Sequence, residues 1–127
     1  MFDANLIVLK LDEIRAALEL IHLRFSEVNS VDMLAGTYEG QKILDAISMQ
    51  IIGIGENLKA IDKIGGAGYL DRYPSLDWRA IKGARDVLAH GYFSIDPEAI
   101  YSICDRDVKP LLATVRQMLS DLRKGTE

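Results

Sequence analysis

Four residues within one short run could together handle a phosphate group. The run Trp78–Asp96 reads WRAIKGARDVLAHGYFSID and carries Arg85, Asp86, His90 and Tyr92. An arginine presents a planar fork of donors that can hold a phosphate or the developing charge of a phosphorane. A histidine moves protons near neutral pH. Asp86 and His90 are four positions apart, about 40° around a helix, so they can share a face. There a carboxylate would orient the imidazole and favour its charged form. Tyr92, just past Gly91, offers a stacking face and a hydroxyl. Arg85 and His90 are five apart, about 140° on a regular helix, so one straight helix does not aim both at one point. Convergence requires the helix to loosen at His90–Gly91, the long arginine to bend round, or a twofold dimer to bring two such segments into one cleft. On residue chemistry alone a plainer reading stands ahead: Arg85 and Asp86 as a solvated face, and His90 as the C-terminal residue that complements the helix dipole.

The surrounding sequence predicts helices to carry this run. Residues 3–29 hold an apolar stripe, Ile7, Leu11, Ile14, Leu18, Ile21, Phe25 and Val28, with Asp3 as a cap and Asn29–Ser30 as a stop. Residues 37–64 repeat it with Ile43, Ile47, Ile51, Ile54, Leu58 and Ile61. Gly53 and Gly55 lie inside that helix, where each costs about 1 kcal/mol relative to alanine; close approach of a neighbouring backbone is the expected compensation. Ile64–Gly68 ends the helix, and the loop runs on through Tyr73–Pro74–Ser75. Asp77 caps a third helix holding Trp78, Ile81, Ala84 and Leu88, which ends at His90–Gly91. Asp96, Pro97 and Glu98 open a fourth, with the stripe Ile100, Cys104, Val108, Leu111, Val115, Met118 and Leu122. Pro110 should kink or split it near Arg106. The expected fold is all-α, an up-and-down bundle of four to five helices forming a single domain over residues 1–127.

Composition narrows the function. The chain has 127 residues, 49% hydrophobic and 27% charged, with a net charge of −4. A packed core is expected, and a globally basic nucleic-acid coat is excluded. The charge is unevenly spread: residues 1–40 carry −4, whereas residues 56–90 carry +1 through Lys59, Lys63, Arg72, Arg79, Lys82 and Arg85. Cys104 is the single cysteine, which rules out a disulfide framework and a cysteine-rich zinc site, and it reads as a small core residue. His22 and His90 are 68 positions apart, so no metal site is expected. The absence of a long apolar run and of a signal-peptide pattern predicts a soluble, cytoplasmic protein without a membrane partner. His22 falls just off the first stripe and reads as a surface residue. Tyr101 reads as packing. The Gly65–Gly68 loop lacks the Lys-Ser/Thr of a phosphate cradle and reads as a plain loop.

The run from Arg85 to Tyr92, RDVLAHGY, resembles the R-x-x-x-x-H-x-Y signature of HEPN domains of the HepT type. Its flanks resemble the family too: Tyr73–Pro74 before Trp78, Ile81 ahead of the motif, Gly91–Tyr92–Phe93 at its end, then Asp96 opening a last helix. Gly53–Ile54–Gly55–Glu56 is similar to the family's IGE stretch in the second long helix. The likeness is specific from about Gly53 to Leu112.

The resemblance implies the toxin of a two-gene toxin–antitoxin system, a metal-independent endoribonuclease acting on RNA without a cofactor. One histidine does not easily perform both proton transfers at once, so a homodimer is expected to supply a second His90. Arg85 and His90 would be catalytic and Asp86 supporting. The implied partner is an MntA-like nucleotidyltransferase that silences the toxin by transferring AMP to Tyr92. The residue after the arginine is often asparagine in the family. Here Asp86 puts a negative charge beside a phosphate-binding site, which would raise the pKa of His90 at some cost in RNA affinity. An alternative reading is a catalytically weak HEPN module that binds nucleotide or substrate for a partner nucleotidyltransferase. A third is a purely structural helical dimerisation domain.

Overall fold

The computed structural model describes residues 3–66 and 68–125, with Tyr92 described by its backbone alone. Among these residues there is no strand. Five helices follow one another: α1 (Ala4–Phe25), α2 (Tyr38–Gly65), α3 (Trp78–His90), α4 (Pro97–Arg106) and α5 (Val108–Gly125). Short 3₁₀ turns at Val31–Leu34, Leu70–Arg72 and Tyr92–Ser94 lie in the connections. The fold is the expected all-α bundle.

The helix starts follow capping chemistry. Asp3 accepts from the Leu6 N–H at 3.1 Å, Thr37 from Gly40 at 2.9 Å, Asp77 from Ala80 at 3.1 Å and Asp96 from Glu98 at 2.9 Å. Each satisfies one N–H that the first helical turn leaves without a partner. The predicted break near Pro110 is real. A proline at 110 has no N–H for the Arg106 carbonyl, and the helix divides there into α4 and α5 at Asp107. One end differs from expectation: α1 stops at Phe25, ahead of Asn29–Ser30. The Ser26 hydroxyl donates to the Leu23 carbonyl at 2.6 Å, and Val28 reaches the interior from the loop beyond.

The stripes form one core. Ile7, Leu11, Ile14, Leu18 and Ile21 of α1 face Ile47, Ile51, Ile54, Leu58 and Ile61 of α2 and Val108, Leu111, Val115 and Met118 of α5. α1 packs along both α2 and α5, while α3 lies against α2. Burying each such side chain stabilises the fold by about 1.5–3 kcal/mol, so this core fixes α2 as the platform for α3. Cys104 belongs to the core, and burial pushes its thiol up to about 12. At that value almost no nucleophilic thiolate exists at neutral pH.

The start of α3 is fixed from below. The Trp78 indole N–H donates to the Tyr73 carbonyl at 2.9 Å, and the Tyr73 hydroxyl donates to Asp121 of α5 at 2.7 Å. The Tyr73–Pro74 turn is thereby tied to both neighbouring elements. Tyr101 packs edge-on against Phe25, with ring centroids 5.0 Å apart, in keeping with its packing role. His22 is exposed, as expected. In the glycine loop Gly66 and Gly68 both have φ of +85°, the left-handed region that favours glycine. Ala67 between them lies outside the described residues.

Candidate functional site

α3 meets α2 closely because of Gly55. A Cβ built on Gly55 would stand 2.2 Å from the Cβ of Arg85 and 2.7 Å from its Cγ, far inside contact distance. The bare glycine is what lets Arg85 lie on α2. Gly53, two residues earlier, is exposed and has nothing within 4 Å of such a Cβ. Close approach therefore accounts for Gly55 and not for Gly53, which simply faces solvent.

With its stem against Gly55, Arg85 spreads its guanidinium between two carboxylates. Nη2 pairs with Glu56 of α2, and Nη1 donates to Asp86 at 3.0 Å. These two acids, Glu56 first, hold the guanidinium firmly protonated. Asp86 in turn accepts from Lys59 at 2.7 Å. Lys59 and then Arg85 hold its carboxyl below the ordinary carboxylate range. One turn further along, Lys82 pairs with Asp62. The two helices are laced by alternating charges, each worth little singly at such exposure but together fixing the direction of Arg85.

His90 ends α3 and is exposed. Its Nδ1 lies 2.7 Å from the backbone carbonyl of Asp86. A carbonyl can only accept, so Nδ1 carries the proton. In the neutral ring the lone pair is then on Nε2. This corrects the expected part of Asp86. Its carboxylate turns to Lys59 and Arg85 instead of the imidazole, and its main chain orients the ring. Together Lys59 and Arg85 balance the charges of Asp86 and Glu56.

The 140° between Arg85 and His90 persists, since α3 is regular up to His90 and no hydrogen bond joins the two side chains. Asp86 links them all the same, through its carboxylate to one and its carbonyl to the other. Tyr92 begins the 3₁₀ turn Tyr92–Ser94 immediately after His90–Gly91; its side chain lies outside the described residues. Glu56 and Lys59 received no role from the sequence reading. Nothing within α2 marks them, because their partners Arg85 and Asp86 lie on α3. Beside the site, an apolar hollow of about 450 Å³ opens between α3 and the α4–α5 junction, lined by residues such as Ile54, Ile81 and Leu111. Neither Arg85 nor His90 lines it.

The lowered pKa of Asp86 has a directional consequence. A carboxyl whose folded value lies below its ordinary one, about 3.9, contributes stability in full above that value. The contribution is lost as pH falls through the folded value. Carboxyl-resolved NMR titration should show the Asp86 midpoint moving upward in Lys59→Gln. A midpoint that does not move would mean that Lys59 does not hold it.

The sequence is similar to known proteins. The family model described as "Ribonuclease HepT-like" matches residues 14–118, from α1 to α5 and across the whole α2–α3 site. The "Putative RNase MJ0127" of Methanocaldococcus jannaschii is 26% identical over 87 residues, covering 68% of this chain and 69% of that protein. No solved structure matches the chain at a significant level. Among the described residues, no helix is long and apolar enough to cross a membrane. A match over this much of the chain shows kinship: the chain belongs to the HepT-like ribonuclease family.

Proposed function

We propose that this protein is an endoribonuclease toxin that cleaves RNA through Arg85 and His90. The observation that carries the reading is the hydrogen bond from His90 Nδ1 to the Asp86 carbonyl, which leaves Nε2 as a base. His90 Nε2 takes the proton of a ribose 2′-hydroxyl. The 2′-oxygen attacks the adjacent phosphorus, and Arg85 stabilises the pentacoordinate phosphorane. The bond from phosphorus to the 5′-oxygen then breaks, and that oxygen takes a proton from an imidazolium. The products are a 2′,3′-cyclic phosphate and a 5′-hydroxyl. No metal is required in this scheme.

One imidazole does not readily perform both transfers at once. A homodimer supplies the second, His90 from each protomer serving one side of the reaction. Val87 and Phe93, three residues to either side of His90, are both exposed, and apolar residues beside a catalytic base suit a twofold seam there. The partner in the cytoplasm is an MntA-like nucleotidyltransferase, which transfers AMP to Tyr92. Tyr92 follows His90 by two residues, so the adduct places a phosphate and a purine where the RNA must lie.

A second reading, a catalytically weak module serving the nucleotidyltransferase, draws on Glu56 and Asp86, which already occupy the Arg85 fork. Expression in cells without the partner separates the two. Growth arrest that His90→Ala relieves supports the nuclease, and absence of arrest supports the weak module. Intact-mass measurement with the partner and ATP should show AMP increments that vanish in Tyr92→Phe; increments that persist place the modification elsewhere.

A further inference from the structure

The seam between α2 and α3 continues past the residues that the proposed reaction uses. On α2, Glu56, Lys59 and Lys63 are spaced to share a face, and on α3 Arg79, Lys82 and Asp86 are spaced likewise. Opposite charges close three successive rungs: Glu56 with Arg85, Lys59 with Asp86, and Asp62 with Lys82. The next rung, away from His90, breaks the alternation. Lys63 and Arg79 are both exposed and line one hollow of about 580 Å³, with Lys82, Trp78 and Gly68 around them. Neither cation has an ion pair or a hydrogen bond from its side chain among the described residues. Two acids border the hollow. Asp62 is taken by Lys82, and Asp71 pairs with neither Lys63 nor Arg79. Two like charges in one concavity repel each other, and a bound anion turns that repulsion into attraction for both.

Arg79 is seven residues before Asp86, about two helical turns and so about 10 Å along the same face of α3. A strand whose phosphate rests between Arg85 and His90 could follow the seam and reach this hollow with a neighbouring phosphate. We infer that the hollow at Lys63, Arg79 and Lys82 is a second phosphate subsite, which holds the backbone of single-stranded RNA to one side of the cleaved bond. The inference rests on the nuclease reading above for the identity of its ligand. It also accounts for how a protein of net charge −4 engages RNA: the paired charges of the seam cancel, Lys63 and Arg79 add a local positive excess, and the net negative charge lies in the first 40 residues.

The test measures binding separately from cleavage. The probe is a fluorescent 2′-O-methyl oligouridylate, which lacks the attacking hydroxyl and is not cut. Anisotropy is followed across a salt series. Each phosphate contact to a single strand contributes about 0.7 to the slope of log affinity against log salt. Lys63→Gln with Arg79→Gln should weaken binding and flatten the slope by about 1.4. The charge-preserving pair Lys63→Arg with Arg79→Lys should keep the slope. Lys42→Gln with Lys109→Gln removes as much charge away from the hollow and should leave most of it. An unchanged slope in the first pair, or equal flattening in the last, overturns the subsite. Cleavage of ordinary RNA by the wild-type protein is scored beside it. Binding through Lys63 and Arg79 without any cleavage keeps the subsite and sinks the nuclease reading; cleavage with an unaltered slope does the reverse.

Discussion

His90→Ala should lower the rate of RNA cleavage by about 10²–10⁴-fold, the range that a positioned general acid or base contributes. Arg85→Ala should cost about 10²–10³-fold, the loss expected when one group that stabilises the charge of the transition state is removed. The two differ in what surrounds them. His90 is exposed and its only side-chain hydrogen bond among the described residues is to the main chain of its own helix, so its removal should leave folding untouched and the melting temperature unchanged. Arg85 is clamped by Glu56 and Asp86; removing it leaves those two carboxylates facing each other with only Lys59 to balance them. Arg85→Lys is the sharper variant. It keeps the charge, but a lysine cannot present the planar fork, so cleavage should fall while folding survives. Steady-state rates with a labelled RNA, measured beside thermal melting, check all three. Full activity in His90→Ala would remove the proposed base.

Gly55→Ala and Gly53→Ala should change stability in opposite directions although they lie two residues apart on one helix. Alanine at an exposed helical position is about 1 kcal/mol better than glycine. Gly53, with open space around it, should collect that gain. At Gly55 the new methyl would stand 2.2 Å from the Arg85 Cβ. That atom sits at the root of its side chain, so a rotamer change does not move it, and the helices themselves must part. Overpacking of this kind costs about 1–3 kcal/mol, which exceeds the propensity gain over most of that range. A fall in melting temperature of several degrees is expected. Parting α2 from α3 also draws Arg85 away from Glu56, so cleavage should fall along with stability. Equal melting temperatures for the two variants would show that α2 and α3 are not in contact as described.

The elements were readable from the sequence because their signals are local. Asp3, Asp77 and Asp96 cap the helices where their side chains can reach the next turn, and Pro110 splits the last long helix where its missing N–H falls. The stripes of α1, α2 and α5 read as one core because a period near 3.6 needs no knowledge of the partner helix. The end of α1 was less legible, since Ser26 stops it through a side-chain bond that competes with ordinary polar surface. Arg85 and His90 are picked out as candidates by type and spacing, and the place of His90 at the end of α3 is legible from Gly91 beyond it. The destination of the Asp86 carboxylate was not. It depends on Lys59, 27 residues away in sequence, and spacing within α3 points to the imidazole instead. Gly55 and Gly53 look alike along the chain and differ only in what lies across the helix. Glu56 and Lys59 were hidden for the same reason: their partners are on α3, and a single helix does not display them.

The most direct measurement is the chemistry of the cut ends. Wild-type protein incubated with end-labelled RNA in EDTA should yield fragments ending in a 2′,3′-cyclic phosphate, with 5′-hydroxyl ends on their downstream partners. Those are the products of attack by the 2′-oxygen, with His90 moving the protons and Arg85 holding the phosphorane, and none should form with His90→Ala. Fragments with 3′-hydroxyl and 5′-phosphate ends, or cleavage that stops when EDTA is added, would contradict the account.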